Sequence, residues 1–230
     1  MKRLIPNILA LSFWAIILSS SYASAQAETT EIAYSDTTVV EFFNNNMPHT
    51  ISTYNSDGKL EGPKMEFRRT GSITYLENYK DGVLDGELLK ISNRGKITQK
   101  SYYAQGKLEG EFTKYYGTGN KQESSFYKNG VRDGKTIWYF TNNNMSTAMN
   151  YSEGQLEGEA KTYYQEGAIK SVFNYEENLR EGMYREFYES GKIKLEGEYH
   201  KDLKTGEWQT YDKDGTVIKT EKYKKGELRS

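Results

Sequence analysis

Histidine and cysteine, two residue types that are common in catalytic and metal-binding sites, are scarce in this chain. There are two histidines, His49 and His200, and no cysteine. The histidines lie near opposite ends of the chain, so an extended repeat array would keep them apart, and a histidine-based metal site or triad has no geometry. Without cysteine, disulfides and thiolate metal sites are excluded. The sequence therefore predicts a protein that is not an enzyme, with no catalytic residue, no metal and no cofactor.

Carboxylates recur at one position of a 24-residue repeat, which is numbered here from Gly58 as position 0. One interpretation is a carboxylate that caps a turn, and the other is a site for a divalent cation or ligand. Asp212–Gly215 is similar to part of a calcium loop, but Thr210 stands where the first acidic ligand is needed. The carboxylates at position 3 are Glu61, Asp85, Glu109, Asp133, Glu157 and Glu181.

Aromatic residues at position 10 are candidates for binding. Tyr116, Phe140, Tyr164 and Tyr188 form a row that could stack on sugar rings, or that could pack within a sheet, since tyrosine suits a half-exposed pleated surface. The first interpretation predicts a glycan or cell-wall binding module. The second gives the row a structural role only.

The fourth repeat departs most from the others. Val131-Arg-Asp-Gly lacks the leucine of position 2, Trp138-Tyr-Phe140 is a run of three aromatics, and Asn142–Met145 replaces a turn glycine. Because aromatic residues often dominate binding interfaces, Trp138 and Phe140 are candidate partner-binding residues, together with Tyr116, Tyr164 and Tyr188. Neutral drift at a tolerant site is the alternative.

The repeat itself must position all of these residues. Seven units follow one another without insertion or deletion, as expected of one structural unit stacked seven times. Two rows of residues carry the period as structural positions. They are Tyr79, Tyr103, Tyr127, Tyr151, Tyr175, Tyr199 and Tyr223 at position 21, and Gly62, Gly86, Gly110, Gly134, Gly158, Gly182 and Gly206 at position 4.

The spacing of glycines and apolar residues predicts β-hairpins rather than helices. A three-residue loop ending in a left-handed glycine at position 13 would place position 9 opposite position 15, where six of the seven pairs are apolar. We expect an all-β fold, an elongated, twisted, single-layer antiparallel meander of about seven hairpins with a degenerate N-terminal unit. Position 7 mixes polar and apolar residues, which predicts no deep core on either face.

The first 25 residues have the pattern of a secretory signal peptide, with Lys2 and Arg3, an apolar run over 8–18 and small residues before a cut after Ala25 or Ala27. The expected domains are the leader (1–25), a capping segment with a degenerate repeat (26–57) and the array (58–230). We expect export to the periplasm, cell surface or exterior, with no transmembrane segment after cleavage. Lys and Arg (31) balance Asp and Glu (32) without a basic block, so no nucleic-acid partner is expected.

Two segments carry a family resemblance, Gly106-Lys-Leu-Glu-Gly-Glu-Phe-Thr-Lys-Tyr-Tyr and Gly154-Gln-Leu-Glu-Gly-Glu-Ala-Lys-Thr-Tyr-Tyr. They resemble the bacterial MORN-variant repeat, over about residues 54–228. The resemblance implies a meander of hairpins that binds proteins or lies at membranes. Together with the leader, this predicts an exported scaffold for an unidentified protein partner. The variant repeat also occurs in YwqK-like antitoxins, so a second alternative, after glycan or envelope binding, is an antitoxin-like protein that neutralises an exported toxin.

Overall fold

The computed structural model describes residues 2–5 and 36–229, and their regular structure is entirely β-strand. Apart from residues 2–5, the predicted leader and its cleavage site lie outside the described residues. Contacts divide the chain into two compact units, residues 1–83 and 84–230. Each unit is described by itself.

The first unit is an antiparallel meander in which each strand pairs with the next one along the chain. The predicted degenerate N-terminal hairpin is confirmed, with strands at Thr37–Phe42 and Pro48–Tyr54. The strands are β1 (Lys2–Ile5), β2 (Thr37–Phe42), β3 (Pro48–Tyr54), β4 (Leu60–Phe67) and β5 (Ile73–Lys80), and β6 (Val83–Leu84) follows at the boundary.

The second unit continues the pattern with antiparallel pairing between successive strands, so the predicted all-β meander of hairpins is confirmed. Its strands are β7 (Gly86–Ile91), β8 (Ile97–Ala104), β9 (Lys107–Tyr115), β10 (Lys121–Lys128), β11 (Val131–Arg132), β12 (Gly134–Tyr139), β13 (Met145–Ser152), β14 (Gln155–Leu156), β15 (Gly158–Tyr163), β16 (Ile169–Glu176), β17 (Leu179–Phe187), β18 (Ile193–His200), β19 (Leu203–Tyr211), β20 (Val217–Lys224) and β21 (Glu227–Arg229).

The longer turn of each hairpin has the predicted geometry. In the first hairpin the amide of Gly71 donates to the carbonyl of Arg68, the amide of Arg68 donates to Ser72, and Gly71 has φ +85°. Asn143 takes the same left-handed conformation in the fourth repeat, with φ +71°. The predicted pairing of position 9 with position 15 is confirmed in all seven hairpins, from Phe67–Ile73 to Tyr211–Val217.

The shorter connection is a two-residue turn in which both central residues have positive φ, as in a type I′ turn. In the third repeat these are Asn129 (φ +51°) and Gly130 (φ +87°). The first of the two is not glycine in any repeat; it is Asp81, Gln105, Asn129, Glu153, Glu177, Lys201 or Lys225. Sequence reasoning assigned positive φ to the glycine rows but missed this residue.

A thin core lies on the face that carries the tyrosine row, here called the tyrosine face. This core is one layer thick, in keeping with the expectation of no deep core. Sequence reasoning missed the row at position 6 that forms it, which is buried at Leu88, Phe112, Thr136, Ala160 and Trp208. In five of the six hairpins of the second unit, a large side chain at one of positions 6 and 19 faces a smaller one at the other, which lets a single layer pack closely, whereas Trp208 faces Glu221. The pairs in the second unit are Leu88–Ser101, Phe112–Ser125, Thr136–Met149, Ala160–Phe173, Tyr184–Gly197 and Trp208–Glu221.

Candidate functional site

The carboxylate row at position 3 caps the two-residue turns. Each carboxylate accepts the backbone N–H of the first turn residue 20 positions further along the chain, at 2.7–3.2 Å. For example, Glu109 Oε2 accepts the amide of Asn129 at 2.7 Å, and the amide of Gly130 donates to the carbonyl of Leu108 at 2.9 Å. The row therefore links each hairpin to the next one, as the turn-capping interpretation states.

Removal of one capping carboxylate tests this role. We expect Glu109→Ala to lower the free energy of unfolding by about 1 kcal/mol, because the amide of Asn129 then depends on water for a partner at an exposed turn. Glu109→Gln keeps an acceptor and should cost less. Urea melts of both variants measure the difference, and equal losses would contradict the assigned hydrogen bond.

The remaining chemical candidates of the sequence are also bound within turns. Asp212 Oδ1 accepts the amides of Asp214, Gly215 and Thr216, each at 2.9 Å, and these hydrogen bonds, led by that of Thr216, lower the pKa of Asp212. His200 Nδ1 lies 2.9 Å from Glu181, and this contact is the main reason that the pKa of Glu181 is lowered. Among the described residues no group of three His, Asp or Glu side chains could hold a metal ion.

The tyrosines at position 10 hold neighbouring hairpins together. The hydroxyls of Tyr116, Tyr164 and Tyr188 each donate to a backbone carbonyl 23 residues further on, at 2.7 Å. Their rings are half-buried, as is the ring of Phe140. The hydroxyl contacts favour the packing interpretation of this row over sugar stacking.

The asparagine-rich turn of the fourth repeat also makes contacts within the sheet. The side-chain amides of Asn142 and Asn144 both donate to the carbonyl of Gln165 in the next turn, at 3.0 and 2.9 Å. Asn142 Oδ1 in turn accepts the amide of Asn144 at 3.1 Å. This departure from the repeat therefore stabilises the stacking of two turns, and it does not need a ligand to explain it.

An ion pair with a buried carboxylate accompanies the missing leucine of the fourth repeat. Arg132 Nη2 lies 2.7 Å from Glu123 Oε1, and the side chain of Glu123 is 7% exposed. The guanidinium is 5.6–5.8 Å from the ring centres of Tyr127, Trp138 and Tyr151, within the range of cation–π attraction. Trp138, a candidate binding residue, thus covers this ion pair on the tyrosine face.

Ser125 completes this polar cluster, since its hydroxyl donates to Glu123 at 2.8 Å. Two buried donors of the cluster region, Arg132 Nε and Thr136 Oγ1, have no hydrogen-bond partner. Because unpaired buried donors lower stability, the cluster is a costly feature that a leucine at position 2, as in the first, second, third and fifth repeats, avoids. Its sequence signal was the substitution of Arg132 for leucine, but the partner Glu123 gave no signal.

Exposed apolar side chains form a row at position 15, on the face opposite the tyrosine face. Position 15 pairs with position 9, so the two lie on the same face. At position 9, the hydroxyl of Tyr211 donates to the side chains of Gln209 and Glu196, which lie on this reverse face. We call the exposed members the hairpin-end row. They are Ile97 (41% exposed), Met145 (36%), Ile169 (39%) and Val217 (44%).

The hairpin-end row lies beside half-buried residues of position 9. Ile97 pairs with Ile91, Ile169 with Tyr163 and Val217 with Tyr211. Successive hairpins are two strands apart, so the row repeats at about 9.6 Å. Exposed Lys121 and half-buried Ile193 interrupt the row, but its members share one face and one repeat position and are not scattered. Sequence reasoning used these residues only to set the register and missed their exposure.

Four segments of the chain match the protein family described as the MORN repeat variant: residues 108–129, 156–177, 180–201 and 204–225. Each segment begins at position 2 and ends at position 23, so one match spans one hairpin and its link to the next. These matches support a MORN-variant repeat protein. The fourth hairpin, which contains Arg132, is not among the matched segments.

Other comparisons add little. No curated protein matches the chain. Among solved structures, the chain is similar to a porin-like protein from Bacteroides uniformis ATCC 8492, at 11% identity over 84% of this chain and 87% of that chain, with a TM-score of 0.17. A TM-score this low supports no conclusion about fold or function. Within residues 2–5 and 36–229 no helix has the length and hydropathy to cross a membrane.

Proposed function

We propose that this MORN-variant repeat protein is an exported, non-enzymatic scaffold that binds a protein partner. The observation that carries the proposal is the hairpin-end row, where four exposed apolar side chains occupy the same repeat position on one face of the second unit. Aliphatic and aromatic side chains exposed in a stripe are typical of protein interaction sites. The polar groups of the turns are engaged in the sheet. The row has four exposed apolar members in the second unit, against three at position 1, which are Val131, Leu179 and Leu203.

Export is the second element of the proposal, and it is supported by the charged, apolar and small-residue order of residues 1–25. We expect the exported protein to begin at Gln26 or Glu28, as measured by intact mass. Recovery of a cytoplasmic protein that retains Met1 would contradict export without affecting the binding surface.

Capture from a native envelope fraction tests the binding surface. Met145→Ser with Ile169→Ser removes two neighbouring members of the hairpin-end row, and we expect it to weaken capture of the partner about tenfold, a loss of about 1.4 kcal/mol. Leu179→Ser with Leu203→Ser is the matched control, because these leucines are 39% and 47% exposed at position 1. Equal capture by both double variants would contradict the assignment of the row.

The candidate residues of the fourth repeat belong to the same experiment. Trp138→Ala and Phe140→Ala should weaken capture if the partner also contacts the tyrosine face at this hairpin. Circular dichroism of each variant shows whether the fold is kept. A loss in these variants but not in the hairpin-end variants would move the binding surface to the tyrosine face.

Two alternative functions differ in the partner. A glycan or cell-wall module would use the position 10 row. Calorimetry should then detect binding of soluble cell-wall fragments, and Tyr164→Ala should lower their affinity. In the free protein the hydroxyl of Tyr164 donates to the carbonyl of Phe187. An antitoxin-like protein would use the same scaffold to hold an exported toxin, and the captured partner should then inhibit growth when expressed alone. Neither result is expected from a scaffold for a harmless envelope protein.

A further inference from the structure

The edge of the first unit is already occupied by a strand from the start of the chain. β1 pairs antiparallel with β2, with Lys2 opposite Glu41 and Ile5 opposite Thr38. On its other side β2 pairs with β3. In the full chain, the outer edge of Thr38–Glu41 is therefore paired with residues 2–5.

Removal of the leader would take β1 away and leave β2 as an open edge. The strand β2 is Thr-Thr-Val-Val-Glu-Phe. It is rich in β-branched residues and contains no proline and no lysine, so little in its sequence opposes pairing with another strand. Natural edge strands usually carry lysine or proline, which discourage pairing with another chain. Here the edge of β2 is covered instead by a separate strand, β1, and the proposed export would remove it.

The sequence of β2 is compatible with pairing to a second copy of itself. A two-fold antiparallel pair centred on Val39 places Val39 opposite its own copy, Thr38 opposite Val40 and Thr37 opposite Glu41. Like charges are not opposed in this register, and β-branched residues face each other, which favours cross-strand packing. Centring on Val40 would instead place Val39 opposite Glu41.

We propose that the outer edge of β2 is a dimerisation site that residues 2–5 block and that loss of the leader opens. In the cell this opening rests on the proposed export. The edge itself can be tested without export, in the full chain, by Arg3→Pro with Leu4→Pro. Two prolines remove the amides and the extended geometry that β1 needs.

Light scattering tests the dimer. We expect the full chain to be monomeric and the double-proline chain to have twice the monomer mass at micromolar concentration. Adding Val39→Lys to the double-proline chain sets two ammonium groups opposite each other at the two-fold axis and should restore the monomer, whereas Val39→Thr should not. A double-proline chain that stays monomeric would refute the proposal.

Cysteine cross-linking tests the register, because the chain has no other cysteine. In the double-proline chain, Val39→Cys would meet its own copy at a Cα separation that a disulfide can span. Thr37→Cys would lie about 14 Å from its copy, too far for a disulfide. We expect covalent dimers of the first under mild oxidation and not of the second. Equal cross-linking of both, or cross-linking of Val39→Cys without the prolines, would overturn the proposed site.

Discussion

Replacement of Trp208 by alanine should cost about 3–5 kcal/mol of the free energy of unfolding. Its side chain is 1% exposed, the most deeply buried large side chain of the second unit. Tyr184 stacks on it at 5.7 Å between ring centres, while Tyr199 and Tyr223 contact it edge-on at 5.0 and 6.3 Å. Burial in this cluster also raises the pKa of Tyr184 to about 12. Urea melts followed by tyrosine fluorescence measure the loss.

Two further variants separate packing from other effects of this change. Trp208→Phe keeps an aromatic ring and removes an indole N–H that has no partner, so it should cost much less than alanine. Gly197→Ala should destabilise by about 1–3 kcal/mol, because its Cβ would lie 2.3 Å from the indole ring. Combined with Trp208→Ala, the added methyl should cost less than it does alone. Simple additivity would contradict the contact.

The register of the hairpins could be predicted from the sequence because two independent signals agree. The left-handed residue at position 13 fixes the turn, and apolar residues at positions 9 and 15 require the same pairing. Asn143 fits because asparagine is the next-best residue for this conformation. The turn residues and the apolar pairs indicate the same register, so the register could be predicted without knowledge of the tertiary structure.

The two-residue turns and the core could not be predicted so fully. The first turn residue is acidic, amide or lysine, so its positive φ leaves no common residue type, and it is held by a carboxylate 20 residues earlier, such as Glu109 for Asn129. The core row contains Thr136, Ala160 and Trp208 at one position. Their sizes make sense only beside their neighbours in the sheet, as when Ala160 faces Phe173 across its hairpin and Trp208 lies against Gly197 of the preceding hairpin.

The candidate site shows the same limit. The sequence identified the fourth repeat as different. In the structure the difference is an ion pair between Arg132 and Glu123, and Glu123 belongs to the third repeat. The exposed hairpin-end row follows the register and was visible in the sequence as apolar residues. Its exposure depends on which face the rest of the sheet leaves uncovered, and that is a property of the whole fold.

Restoring the leucine of the repeat at Arg132 should destabilise the protein. Arg132→Leu leaves Glu123 buried with Ser125 as its remaining hydrogen-bond donor, and we expect a loss of about 3 kcal/mol. Neutralising the other partner, by Glu123→Gln, should cost only about 1 kcal/mol. Arg132 is one-third exposed, so water can solvate its charge, and glutamine can still accept a hydrogen bond.

The double variant Arg132→Leu with Glu123→Gln decides between an ion pair and a packing effect. If the cost of Arg132→Leu comes from an unpaired buried carboxylate, neutralising Glu123 should recover more than half of it, because no charge is then buried. Loss of the stacking on Tyr127, Trp138 and Tyr151 would remain in both variants and would not be recovered. Urea melts of the four proteins give the coupling free energy. A coupling near zero would mean that the guanidinium stabilises the fourth repeat by packing against the three rings and not by its charge.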